Sequence, residues 1–332
     1  MKNTEIIKYI KKRLKITKEI NIKEIKGDAS KRKYYKVVSN KKSYIVMDSG
    51  LEKRNFNNFL KYTKIFKEND VNTPALFDIN IKKKIILIED LGNNLIFNKV
   101  NNKNLNNIYE NVILNILKIQ KIRNKNINYY SYKKYLKESL LFNNWVLKEF
   151  LNFNISKKDE KKIYTSLTNL INSINTKFNK LVHRDYHSKN IFFRNKKTVI
   201  IDYQDALYGS PIYDLVSILN DCYKDIDIKT KKYLLNLFNN GFNDDNKIKL
   251  SSDELIYNFD MLSIQRHMKA SGIFCRLSKK YNRHNYLQYL YRTFNYIEES
   301  SSKYGNLKII NFFAKEALNT VNESNNFSCR QR

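Results

Sequence analysis

Between residues 181 and 202 the chain reads LVHRDYHSKNIFFRNKKTVIID. His183, Asp185 and Asn190 sit inside a short apolar frame, and a further carboxylate, Asp202, ends the apolar run TVII. Two short strands flanking a polar loop suit this pattern, so a compact β patch is expected over 181–202. Phosphoryl transfer asks for such a set. One carboxylate orients and deprotonates an acceptor hydroxyl, a second holds Mg²⁺ against nucleotide phosphates, and an amide oxygen fills another metal position without adding charge. Asp185 is the expected base, and Asn190 and Asp202 the expected Mg²⁺ ligands. The plainer alternative is a polar loop with Asp185 capping a turn. An Asn five residues after Asp185, followed by an apolar strand that ends in Asp202, argues against it.

The segments around this stretch divide into two kinds. Strand-like runs fall at 34–38, 43–47 and 85–89, with an amphipathic helix at 55–69 and a turn at 72–79 marked by Pro74. From about residue 105 helical patterns dominate, at 105–122, 131–151 and 156–179. After the β patch they resume at 211–224, 229–241, 251–275, 283–300 and 306–321. Ser156 with Asp159, and Ser251 with Glu254, mark two helix starts. A small strand-rich lobe is thus followed by a larger helical one, joined near EDLGN at 89–93.

A formal net charge of +30 invites a polyanion-binding reading. The excess is in Lys and arrives with many Asn, Ile and Tyr but only 7 Gly and 2 Pro. Those are the residues of A/T-rich and G/C-rich codons respectively, so drift in base composition accounts for the charge, and no nucleic-acid partner is expected. The longest dense apolar runs, IILI and VII, are far short of a membrane span. The amino-terminal stretch alternates charge with Ile, unlike a signal peptide, so a cytoplasmic protein is expected. Cys222, Cys275 and Cys329 lie far apart, as ordinary reduced thiols do.

HRDYHSKNIFF together with VIIDYQDALYGSPIYDLVSIL resembles the aminoglycoside phosphotransferase/choline kinase superfamily, relatives of the protein kinases. The resemblance implies an α+β, bilobal, protein-kinase-like fold with ATP between the lobes. The expected bounds are an N-lobe at 1–90, a C-lobe at 91–322 and a polar tail at 323–332. It also implies that Asp214 is a buried carboxylate tying the catalytic loop to the following helix, with His183 packed beneath that loop as support. GDASKRKYYKV (27–37) with YIVMD (44–48), DYQDALYGSPIYDLVSIL (202–219) and QRHMKASGIFCRL (265–277) are similar to one bacterial subfamily. This is the anomeric sugar kinase of cell-wall recycling, which phosphorylates the C1 hydroxyl of N-acetylmuramate or N-acetylglucosamine. The implied product, a sugar 1-phosphate, passes to a nucleotidyltransferase.

Kinases reach the nucleotide phosphates with a strand Lys under a Gly-rich loop. Here GDASKR has one Gly, and Met47 stands where the strand Lys is expected. Ser30 and Arg32, with Lys31 and Lys33, are the nearest replacements, and backbone groups near Glu89 and Leu91 are expected at the adenine edge. For the acceptor, Gln265, Lys269, Gly272 and Arg276 fall on one helical face, with Arg266 beside them. Amide and guanidinium forks suit sugar hydroxyls, a cation suits a lactyl carboxylate, and glycine would let a substrate or loop approach. The bland alternative is a solvated polar stripe. Gln204, Asp205, Arg184 and His187 are further acceptor-binding candidates. Two rival functions remain: a kinase of another hydroxyl, such as an aminoglycoside, choline or homoserine, and a non-catalytic anion- or nucleic-acid-binding protein on a kinase scaffold.

Overall fold

Alternating side chains at Lys33–Ser39 and Lys42–Asp48 build two strands, β2 and β3, that turn Tyr35, Val37 and Val46 inward. The structure, a computed structural model, describes residues 3–15, 20–25, 32–39, 42–50, 53–174, 178–247 and 249–330. Helix α1 (Asn3–Leu14) brings Ile6 and Ile10, one turn apart, onto this sheet, where Ile85 and Leu87 complete the cluster. With β1 (Asn21–Ile25), β4 (Leu76–Asn80) and β5 (Ile85–Glu89) the sheet is antiparallel, in the order β1-β2-β3-β5-β4. Helix α2 (Lys53–Glu68) lies between β3 and β4 in the chain, and its Phe56, Phe59 and Phe66 are buried. The short α3 (Ile96–Lys99) follows β5. β1 and β4 were not foreseen. The stretch expected as a turn at 72–79 ends in β4, a five-residue edge strand with a register shift between Leu76 and Asp78 and with Phe77 exposed. Pairing to β5, rather than its own propensity, makes it a strand.

The helical part begins with α4 (Leu105–Gln120) and α5 (Tyr132–Leu141), which widens into a π-type stretch at Phe142–Phe150. α6 (Lys157–Ser173) starts where Ser156 Oγ accepts the Asp159 N–H, as the sequence predicts. β6 (Lys180–Val182) leads into the HRD loop, and β7 (Ile191–Arg194) and β8 (Lys197–Ile200) form a hairpin after it. β9 (Leu207–Gly209) pairs back with β6. α7 (Tyr213–Leu219), α8 (Ile228–Asp245), α9 (Ser252–Tyr281), α10 (Leu290–Ser301) and α11 (Lys308–Arg330) follow, with 3₁₀ turns at His284–Tyr289 and Gly305–Leu307. α9 opens with the expected capping box of Ser251 and Glu254. α11 runs on past residue 321, where its helical pattern was expected to end.

The chain forms two compact units. One comprises Met1–Val100 with the hairpin segment Asn190–Asp205; the other comprises Asn101–Lys189 with Ala206–Arg332. The hairpin therefore packs with the strand-rich unit rather than with the helices on either side of it in sequence. Asn72 O accepts the Ile200 N–H, and Asn94 O accepts the Phe193 N–H. Cys222 and Cys275 are buried free thiols; the Cys329 side chain lies outside the described residues. Among the described residues no helix is long and apolar enough to cross a membrane.

Candidate active site

In the strand-rich unit, Tyr203 fixes the end of the hairpin. Its ring stacks on Phe59 and meets Phe66 edge-on, and its hydroxyl bonds Thr63 Oγ1 at 2.7 Å, all on α2. Its neighbour Asp202 has a left-handed backbone, φ 62°, a conformation non-glycine residues rarely adopt. Ile201 donates its N–H to Asn190 O at 3.0 Å, which brings the two expected metal ligands to adjacent positions of one unit. Asp202 Oδ1 accepts from Arg32 Nη2 at 2.8 Å and from Gln204 Nε2 at 3.0 Å, and Arg32 Nη1 donates to Gln204 Oε1 at 3.2 Å. Arg32 and Gln204 are buried, while the Asp202 side chain is 40% exposed. A carboxylate and an amide oxygen here are hard donors that suit Mg²⁺, an ion that keeps several non-protein ligands. Among the described residues no cluster of three or more His, Cys, Asp or Glu side chains could hold a metal by itself.

Gln204, expected at the acceptor, is thus engaged with Asp202 and Arg32. Asp205 is exposed beside it. Glu89 ends β5, where its carboxylate pairs with Arg194 at 2.7 Å, and Leu91 is buried just beyond. Ser30 and Lys31 lie outside the described residues.

The helical unit holds the other carboxylate. Buried Asp214, on α7, accepts the backbone N–H groups of His183 at 2.6 Å and Arg184 at 2.9 Å. These two bonds hold Arg184 in the left-handed region, φ 77°, at the bend that presents Asp185. His183 is fully buried and packs edge-on against Tyr186 at 5.7 Å. Lys269 Nζ, from the middle of α9, lies 3.1 Å from Asp185 Oδ1. Arg184 Nη2 pairs with Glu138 Oε1 on α5 at 2.6 Å, and the Tyr130 hydroxyl donates to the same carboxylate. The packed surroundings push the Asp185 carboxyl up, but Lys269 and Arg184 outweigh them and hold it well below the usual carboxylate range. Burial pulls Lys269 down, yet Asp185 holds it above the ordinary lysine value. Burial, with Arg266 adding to it, keeps the His187 ring neutral, at about 3.

Helix α9 does not carry the solvated polar stripe that stood as the bland alternative for it: Gln265, Arg266, His267, Lys269 and Ser271 are all buried. Lys269 reaches Asp185. Gln265 instead donates to Tyr135 O at 3.4 Å, on α5. Arg266 is bound inside the unit by Ser217 Oγ at 2.6 Å and Cys222 Sγ at 3.4 Å, a packing role that does not fit the acceptor contact expected of it. Arg276 is half-buried further along the helix. Gly272 serves neither substrate nor loop. A Cβ there would stand 2.5 Å from the backbone carbon of Leu141, so the residue lets α9 and the end of α5 touch. Glu138 went unforeseen; nothing in YKKYLKESLL sets it apart from the other charged residues of the helix.

The sequence profile of the phosphotransferase enzyme family matches residues 21–243, the greater part of the chain. The chain belongs to this family. It is a phosphotransferase whose acceptor carries a hydroxyl group. An N-acetylmuramate/N-acetylglucosamine kinase of Neisseria meningitidis serogroup B is 25% identical over 291 residues, spanning 85% of this chain and 86% of the relative. One from Pseudomonas putida is 24% identical, spanning 82% and 81%. Among solved structures, an ADP-bound aminoglycoside phosphotransferase superposes with a TM-score of 0.61 at 14% identity, covering 89% of this chain and 97% of its own. The phosphotransferase fold expected from the HRD stretch is therefore the one the chain has.

Proposed function

We propose that this phosphotransferase is an ATP- and Mg²⁺-dependent kinase of an amino sugar, acting on the anomeric C1 hydroxyl of N-acetylmuramate or N-acetylglucosamine. The observation that carries the reading is the 3.1 Å contact of Lys269 with Asp185. It keeps the base ionised while making it a weak one. A weak base suits an anomeric hydroxyl, which is more acidic than an ordinary alcohol. Asp185 takes the hydroxyl proton as the γ-phosphoryl group transfers. Asn190 and Asp202 would hold Mg²⁺, which would neutralise charge on the nucleotide phosphates. The sugar 1-phosphate would then be substrate for a nucleotidyltransferase.

The surroundings of Asp185 also bear on the rival acceptors. A cationic drug or choline calls for carboxylates or an aromatic cage. Glu138 is paired with Arg184, and Asp214 with two backbone N–H groups. The aromatic faces of Tyr223 and Tyr289 are covered by Lys189, whose Nζ stands 4.3 and 4.7 Å from the ring centres. The relatives named above support an amino-sugar acceptor over either. ATP consumption with N-acetylmuramate, N-acetylglucosamine, their methyl glycosides and kanamycin tests the proposal. The free sugars are expected to turn over and the others not; a methyl glycoside consumed at the free sugar's rate would overturn the anomeric assignment.

A further inference from the structure

The strand-rich unit has no lysine on β3 at the place where kinases keep one. Met47 stands there, 1% exposed and paired across the sheet with Tyr34. The sheet pairing of Lys33 with Asp48 puts Arg32 just beyond the end of the β2–β3 ladder. From there its side chain leans back over β3. Nη1 lies 3.9 Å from Met47 Sδ, and the guanidinium carbon lies 5.8 Å from the centre of the Tyr34 ring. Its other end reaches Asp202 at 2.8 Å and Gln204 at 3.2 Å. A lysine at 47 would extend two bonds beyond the position of Sδ, into the space the guanidinium fills.

The geometry points to Arg32 as the phosphate-pairing cation of this enzyme, supplying from the edge of β2 the charge that a strand lysine supplies elsewhere. The inference rests on the kinase reading above and adds a residue-for-residue exchange to it. A guanidinium is permanently charged, presents five donors in a fixed fork, and pairs bidentately with phosphate oxygens. Holding it against Asp202 sets a cation next to the carboxylate expected to bind Mg²⁺, so phosphate and metal find their counter-charges side by side. Gln204 braces both, with its Nε2 on Asp202 and its Oε1 on Arg32. Met47 is then the apolar partner this arrangement requires, because two buried cations would repel each other there.

The exchange can be reversed by mutation. Binding of ADP, with and without Mg²⁺, would be measured by calorimetry on the full chain for wild type, Arg32→Ala, Arg32→Lys, Met47→Lys and the double variant Arg32→Met/Met47→Lys, each checked by thermal unfolding. Arg32→Ala is expected to weaken binding roughly 10- to 100-fold, and Arg32→Lys by less. Met47→Lys alone is expected to weaken binding too, while the double variant regains most of the lost affinity. Wild-type affinity in Arg32→Ala would overturn the inference alone. So would a double variant that melts like wild type yet regains nothing, since Arg32 would then only brace Asp202. Wild-type protein with no affinity for ADP would overturn the kinase reading itself.

Discussion

Asp202 and Asp185 each have a cation against a carboxylate oxygen, at 2.8 and 3.1 Å, with their side chains 40% and 38% exposed. The surroundings differ. In the strand-rich unit one anion meets one cation and a bracing amide, Gln204. In the helical unit two ion pairs lie side by side, Lys269 with Asp185 and Arg184 with Glu138, so each of these two carboxylates has a cation of its own. Such paired charges suit a neutral hydroxyl whose proton must be taken. A carboxylate beside a single guanidinium suits ligands that bring both signs of charge, as a metal–nucleotide complex does. Both loops bend through a left-handed residue, Arg184 in one case and Asp202 itself in the other. Among the described residues, only the helical unit adds a buried carboxylate, Asp214, to hold that bend.

The sharpest way to break this contrast is Asp185→Asn. Phosphoryl transfer to the sugar is expected to fall ~100- to 10,000-fold, with ADP affinity close to wild type. Activity near wild type would show that the two carboxylates do not divide the work as proposed. Next is Asp214→Ala, which leaves two buried N–H groups without their acceptor and frees Arg184 from its bend. A loss of about 2–5 kcal/mol in urea unfolding is expected, far more than for removing a surface carboxylate. Gly272→Ala comes third. The new methyl meets Leu141 at 2.5 Å and must push α9 from α5, the helices that carry Lys269 and Glu138. About 1–3 kcal/mol of stability should be lost, and kcat should fall while ADP affinity stays unchanged.

The helical unit and the strand-rich unit were also unequally legible in the sequence. The β2 and β3 strands, the α2 helix and the caps at Ser156 and Ser251 follow from alternation, helical spacing and side-chain hydrogen bonding, all local signals. β1 is short and polar, and β4 is a five-residue edge strand two residues after Pro74, so both exist through their partners and LFDIN reads in the sequence with the turn before it. The polar loop after β6 stood out in the sequence because the spacing of His183, Asp185, Asn190 and Asp202 is distinctive. The reach of Lys269 to Asp185 was foreseen only as a polar face. Arg266 was grouped with that face because it follows Gln265, but one residue along a buried helix turns a side chain to a different partner and charge alone does not say which. Arg32 was one basic residue among several; its contact with Asp202 spans 170 positions of the chain.

The smallest expected effect is also the one that isolates Lys269 from the rest of the cluster. Lys269→Met removes the nearest positive charge from Asp185 while leaving Arg184 and its partner Glu138 in place. As the proposed base, Asp185 must be ionised to accept the proton, so activity is expected to fall in acid as its carboxyl becomes protonated. In the native protein Lys269 and Arg184 hold that carboxyl well below the usual range, so the acid limb of kcat/KM is expected to lie correspondingly low. Without Lys269 the packed surroundings raise the carboxyl, and the acid limb is expected to move up by about 1 pH unit. That is the low end for a lost opposite charge, because the carboxylate is 38% exposed. The stabilising effect of the pair follows the same sign. It is fully present above the ordinary aspartate pKa, about 4, and is lost as pH falls through the depressed folded-state value, so the stability difference between Lys269→Met and wild type should shrink in strong acid. An acid limb unmoved in Lys269→Met would mean that Arg184 alone sets the ionisation of the base, and the helical cluster would then rest, like Asp202, on a single cation.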